Sequence, residues 1–168
     1  MKRILLVLTL LLSITNTYSQ DIKADEVIFV SVESKCIDKN ECHTVEDLFH
    51  EYLLEKGYIV RTFSDEGKFA DARKEELIFQ ESGEVAYEDV KSTQKMLAAG
   101  QLMVIVIERI EKELYFRVKF FDLETGRLIK TARYPNANDN TDKPIKKITD
   151  IRLLEKVTLK LLNRLGLL

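Results

Sequence analysis

The chain has 168 residues, with 26 basic and 28 acidic side chains, a formal net charge of −2 and 45% hydrophobic residues. That is enough apolar material for one domain with a real core. The acidic balance argues against a nucleic-acid partner, which a basic patch usually advertises.

Residues 1–19 read as an export signal. Lys2 and Arg3 give a basic start, residues 4–12 form an apolar run broken only by Thr9, and Thr17-Tyr18-Ser19 is a small-x-small cleavage site. The run is shorter than the roughly 20 apolar residues a spanning helix needs. Cleavage after Ser19 is therefore expected, leaving residues 20–168 as a single domain with no membrane span. No cysteine lies near the cut to carry a lipid anchor, so the product is expected to be periplasmic or secreted.

Residues 26–32 are a strand with apolar side chains on both faces, which places it inside a sheet. Cys36 and Cys42 follow. In an oxidising compartment the plain reading is a disulfide closing a short loop. The alternative is a metal site of Cys36, Cys42, His43 and His50, against which stand a cysteine spacing wider than a zinc knuckle and the position of His50 on a helix. Thr44 with Asp47 three residues on suggests a capping box. Val45, Leu48, Phe49, Tyr52 and Leu53 then recur at helical spacing up to a stop at Gly57, with Glu46, His50, Glu51 and Glu55 on the wet side. Residues 58–63 make a second strand and complete a β-α-β unit. Residues 67–82 and 87–99 read as two further helices, the second burying Val90, Gln94, Leu97 and Ala98 and ending at Gly100.

Residues 102–134 form the centre of the reading, a three-stranded antiparallel meander. The run 102–107 is unbroken and rich in β-branched residues, as in a strand buried on both faces. Residues 114–123 alternate: Leu114, Phe116, Val118 and Phe120 face one way, Tyr115, Arg117 and Lys119 the other. Asp122 to Gly126 supplies a hairpin loop in which the glycine takes a positive φ beside a bulge. The third strand, residues 127–134, carries Arg127, Lys130 and Arg133 and ends at Pro135, the features of a guarded edge.

A polar loop leads to a last helix, with Asp142 as N-cap and Pro144 in its first turn. Its apolar stripe is Ile148, Ile151, Leu154, Val157, Leu161, Leu162 and Leu165. Leu153 and Leu159 lie at or beyond the margins of the stripe. Together with Arg127, Lys130 and Arg133 they make a candidate partner surface. The fold expected is α/β (α+β): one mixed sheet of about five strands with a C-terminal helix packed on it.

No reactive constellation emerges. The six glycines are never closer than ten apart, so no Walker or dinucleotide loop forms. The two histidines lack a recognisable nucleophile or orienting partner, and neither Gly-x-Ser-x-Gly nor His-Glu-x-x-His occurs. Carboxylate pairs such as Glu75-Glu76 and Asp139 with Asp142 read as solvated charge. No catalysis, cofactor or metal is expected.

Glu81-Ser82-Gly83-Glu84-Val85, Leu97-Ala98-Ala99-Gly100, the buried run 102–107 and Asp122-Leu123-Glu124-Thr125-Gly126 resemble corresponding turns and caps in one envelope family. It includes the curli-secretion (CsgG-like) lipoproteins, the lipoprotein activators of penicillin-binding proteins (LpoB-like) and the amino-terminal domain of TolB. The resemblance spans residues 79–134 and implies a fold, not a site. The Pro-Phe ending of the family's first strand is replaced by Ser31-Val32-Glu33, and the anchor cysteine of many members is missing. The resemblance implies a non-catalytic interaction module that binds another cell-envelope protein or itself. Two alternatives stand beside it. One is a component of a curli-type outer-membrane secretion assembly. The other is a ligand binder or enzyme working at the carboxyl ends of the parallel strands, near Glu33, Ser34, Ser64 and Asp65.

Overall fold

The computed structural model describes residues 26–62 and 97–168. The export signal, the helix read at 67–82 and all but the last residues of the one read at 87–99 lie outside the described residues. So do Ser64, Asp65 and residues 79–96 of the family resemblance.

Five strands form one mixed sheet in the order β2-β1-β3-β4-β5. They are β1 (Val27–Ser34), β2 (Ile59–Thr62), β3 (Gln101–Ile110), β4 (Glu113–Asp122) and β5 (Leu128–Tyr134), with helices α1 (Lys39–Glu55) and α2 (Ile151–Leu165). β1 runs parallel to both β2 and β3, and β3, β4 and β5 form the antiparallel meander. The expected α+β class with its C-terminal helix is the architecture found.

Alternation of side chains sorts the sheet into two faces. Ile28 and Val30 of β1, Met103, Ile105 and Ile107 of β3, Leu114 to Phe120 at every second residue of β4, and Ala132 and Tyr134 of β5 face the helices. There they pack with Val45, Phe49 and Leu53 of α1 and with Leu154, Val157, Leu161, Leu162 and Leu165 of α2. Val27, Phe29, Leu102, Val104, Phe121 and Leu123 make a second cluster on the other face, joined by Leu97 and Ala99. β1 and β3 are thus greasy on both sides because both sides are covered. The hairpin loop after β4 is built as expected: Gly126 has φ 68, Asp122 Oδ1 accepts from the Glu124 and Thr125 amides, and the register shifts between Phe120 and Phe121.

Both helix starts differ from the sequence reading. α1 begins six residues early, with Asp38 as N-cap: its side chain accepts from Glu41 N, while Glu41 Oε2 accepts from Asp38 N. Thr44 sits inside the helix, its hydroxyl bonded back to Asn40 O at 3.0 Å, as threonine does when it has no cap to make. Glu46, expected in water, is buried, with Oε2 at 3.3 Å from His43 Nδ1. α2 begins at Asp150, whose side chain accepts from Leu153 N. Asp142 is no cap: the chain after it stays non-helical up to Ile151, and Ile145 pairs with Leu114. Ile148 is buried from this connection, and Ile151, assigned to the stripe, is 44% exposed.

No disulfide joins Cys36 and Cys42. The early start of α1 explains this: Cys42 is already a helical residue, its N–H bonded to Asp38 O. Cys36 Sγ meanwhile lies 3.1 Å from Ser34 Oγ. The four residues of the alternative metal reading do not converge, and among the described residues no group of three His, Cys, Asp or Glu comes together. Among those residues, too, no helix is long and apolar enough to cross a membrane.

Candidate interaction surface

β5 closes the meander and, among the described residues, has no strand beyond it. An edge of this kind presents unpaired backbone groups to any strand that arrives. Leu128 and Ile129, at the start of β5, are 44% and 43% exposed. The bulge at Phe120/Phe121 sets Leu128 opposite Phe121 and leaves Ile129 outside the ladder. Arg127 and Arg133, also exposed, stand at the two ends of this edge.

The five residues proposed from sequence as a partner surface separate into two groups. Arg127, Arg133 and Leu159 point outward. Lys130 is tied down: its Nζ donates to Leu165 O at 2.8 Å, placing a cation on the negative end of the α2 dipole. Leu153 packs half-buried against the helical core cluster. These two serve the fold.

Opposite the helices, the upper part of β3, β4 and β5 forms a wet face. Glu108 and Ile110 of β3, Tyr115 and Arg117 of β4 and Arg133 of β5 line a concavity of about 380 Å³, roofed by residues 135–138. Arg117 Nη2 lies 3.5 Å from Glu108 Oε2. Tyr115 OH donates to Glu113 Oε2 at 3.4 Å. Burial and the Glu113 carboxylate push the Tyr115 phenol up from its ordinary value.

The roof is held by a network that local sequence did not reveal. Asp142, with no exposed side-chain area, accepts from Asn136 N at 2.7 Å, Lys160 Nζ at 2.5 Å and Arg164 Nη2 at 2.9 Å. Asp139 accepts from Thr141 Oγ1 and from Arg164 Nη2, both at 2.6 Å. Arg164 Nη1 also donates to Arg133 O on the β5 edge at 2.8 Å. Burial alone would raise the Asp142 carboxyl, but the bonds from Lys160, the Asn136 amide and Arg164 outweigh it and hold it below the usual range. The Thr141 hydroxyl and amide, with Lys160, hold Asp139 well below that range as well. Read from sequence as solvated charge, these two carboxylates in fact pin the 135–142 loop to α2. The only local signal was Lys160 and Arg164, four apart and hence on one helix face.

Of the ligand site considered at the ends of β1 and β2, Glu33 and Ser34 are described; Glu33 pairs with Val106 of β3, and the Ser34 hydroxyl donates to Ile107 O at 2.9 Å. It ties β1 to β3.

No protein-family profile and no curated protein matches the chain. Among solved structures it is similar to the PelC dodecamer from Paraburkholderia phytofirmans, with TM-score 0.50 and 11% identity over 84% of this chain and 88% of that one. It is also similar to the LpoB C-terminal domain from Escherichia coli, with TM-score 0.44 and 10% identity over 71% and 87% of the two chains. A third is the lipoprotein GNA1162 from Neisseria meningitidis, with TM-score 0.42 and 16% identity over 84% and 96%. At 11% identity the PelC likeness is one of fold.

Proposed function

We infer that this chain is an exported, non-catalytic interaction module of the cell envelope that receives a protein partner along β5. The observation that carries the reading is the exposed edge itself, with Leu128 and Ile129 uncovered between Arg127 and Arg133. An extended segment of a partner adds its backbone to such an edge, while side-chain contacts choose the partner. The resemblance of residues 79–134 to CsgG-like, TolB amino-terminal and penicillin-binding-protein-activator domains supports the same reading. The signal is cut after Ser19; an intact mass of the exported protein that still includes residues 1–19 removes that part.

The reading is tested with a photo-reactive residue at position 129 and a control at the exposed Leu54 on α1. Saturable cross-linking from position 129 to one envelope protein, lost on Ile129→Lys, is the expected result. Equal labelling from both positions refutes it.

A second reading is favoured by the likeness of fold to a protein crystallised as a dodecamer. Here the β5 edge is covered by another copy of this chain, as a ring or secretion assembly would require. Sedimentation decides between the two: a monomer at micromolar concentration removes the assembly, and an oligomer dissolved by Ile129→Lys establishes it.

A further inference from the structure

Arg117 and Arg133 face each other directly across β4 and β5. Side chains at such positions start from Cβ atoms about 5 Å apart, and like charges there are destabilising. Both arginines line the same concavity. Glu108 answers the charge of Arg117; the guanidinium of Arg133 meets no carboxylate among the described residues. The lining of the groove thus carries two guanidinium groups to one carboxylate, Glu108, with the Glu113 carboxylate outside it on Tyr115.

Its walls are not wholly polar. Ile110 is 54% exposed, and Tyr115, Pro135 and Ala137 add further apolar surface. A second, smaller concavity on the edge side is lined by Thr131, Ala132, Arg133, Asn136 and Arg164. Arg133 and Asn136 belong to both, so an anion held by Arg133 sits where the edge of β5 meets the groove. A chain lying along the edge delivers a side chain to that point; a free ion has no use for the edge.

We propose that this groove binds a side-chain carboxylate of an extended, alternately acidic and apolar segment of a partner protein, with Arg133 as the fork that receives it. The carboxylate accepts a bidentate pair of bonds from the guanidinium. Its apolar neighbours along the strand point to the opposite, helix-bearing side of the sheet. This deepens the β5-edge reading by naming the chemistry of the partner, and it rests on that reading.

The test uses the full chain and a labelled peptide alternating glutamate and valine, followed by fluorescence anisotropy. The comparison peptide carries glutamine at each glutamate. Inorganic phosphate as competitor and phosphatidylglycerol vesicles in flotation represent the other anion sources. Saturable binding of the glutamate peptide, weakened about tenfold or more by glutamine in the peptide, by Arg133→Gln and, in part, by Arg133→Lys, supports the proposal. Arg133→Gln is expected to melt no lower than the parent, because it removes one of two opposed like charges. Equal binding of the two peptides overturns the proposal. So does flotation with vesicles, or saturation by phosphate, where the peptide does not bind. Peptide binding abolished by Ile129→Lys but untouched by Arg133→Gln overturns the groove while leaving the β5-edge reading standing.

Discussion

Asp142→Asn is the perturbation that asks most of the structure. The carboxylate is fully enclosed and accepts from Asn136 N, Lys160 Nζ and Arg164 Nη2. Asparagine keeps one acceptor oxygen, which the Asn136 amide and Arg164 retain, and turns an NH2 toward Lys160, whose ammonium needs an acceptor. Breaking a buried pair typically costs about 3–5 kcal/mol. The Lys160 and Arg164 side chains are 35% and 21% exposed and keep Asp139, so solvent screening reduces the expected loss to about 2 kcal/mol. For a domain of this size that lowers the melting temperature by roughly 4–8 °C. The pH dependence fixes the mechanism. A carboxyl held low by the fold stabilises it fully above its unfolded value of about 4 and loses that contribution as pH falls toward the folded value. The gap between parent and variant should therefore be widest near neutrality and narrow in acid. Urea unfolding followed by circular dichroism at both pH values measures it. A gap under about 0.5 kcal/mol at neutrality, or one that does not narrow in acid, refutes the reasoning.

Three further outcomes are expected. Thr158→Val should stabilise by about 1 kcal/mol, since the Thr158 hydroxyl is buried with no hydrogen-bond partner among the described residues and valine keeps the shape; a lower urea midpoint would show that the hydroxyl does find a partner. Gly166→Ala should cost about 1–2 kcal/mol, because Gly166 has φ +70 and an added Cβ stands 3.1 Å from Lys130 Nζ; thermal unfolding measures it, and a neutral result removes the left-handed cap. Asp38→Ala should cost about 1 kcal/mol and Thr44→Ala almost nothing. The reverse order in chemical unfolding would restore the later start of α1.

The strands were legible because each announces its burial locally. β4 alternates from Leu114 to Phe120 since one face packs on helices and the other meets water. β3 is apolar from Leu102 to Ile107 since that stretch sits at the centre of the sheet with both faces covered. The helix starts were not legible, for two different reasons. Asp38 and Glu41 form a capping box as good as Thr44 with Asp47, but a pair of cysteines flanking a stretch suggests a closed loop, which hides it. Asp142 looks like a cap in every local respect. What removes it is Lys160 and Arg164, some twenty residues on, and no local pattern shows that a carboxylate is already engaged. The same distance conceals the groove: Arg117 and Arg133 meet only once the register of β4 and β5 is known. Lys130 was read correctly as a cation on an edge strand. Its partner, a helix-end carbonyl 35 residues away, could not be read there.

The middle of the sheet joins segments that lie far apart along the chain. β1 pairs with β3 from Ile28 opposite Gln101 to Ser34 opposite Ile107, while the meander after it is made of neighbours. A ribosome delivers the amino-terminal half first. A nascent chain halted before residue 101 therefore carries a ribbon that is oily on both sides and lacks its longer hydrogen-bonding companion. Until that companion emerges, the ribbon must be shielded by something else, and the short wait is when this polypeptide is most open to clumping.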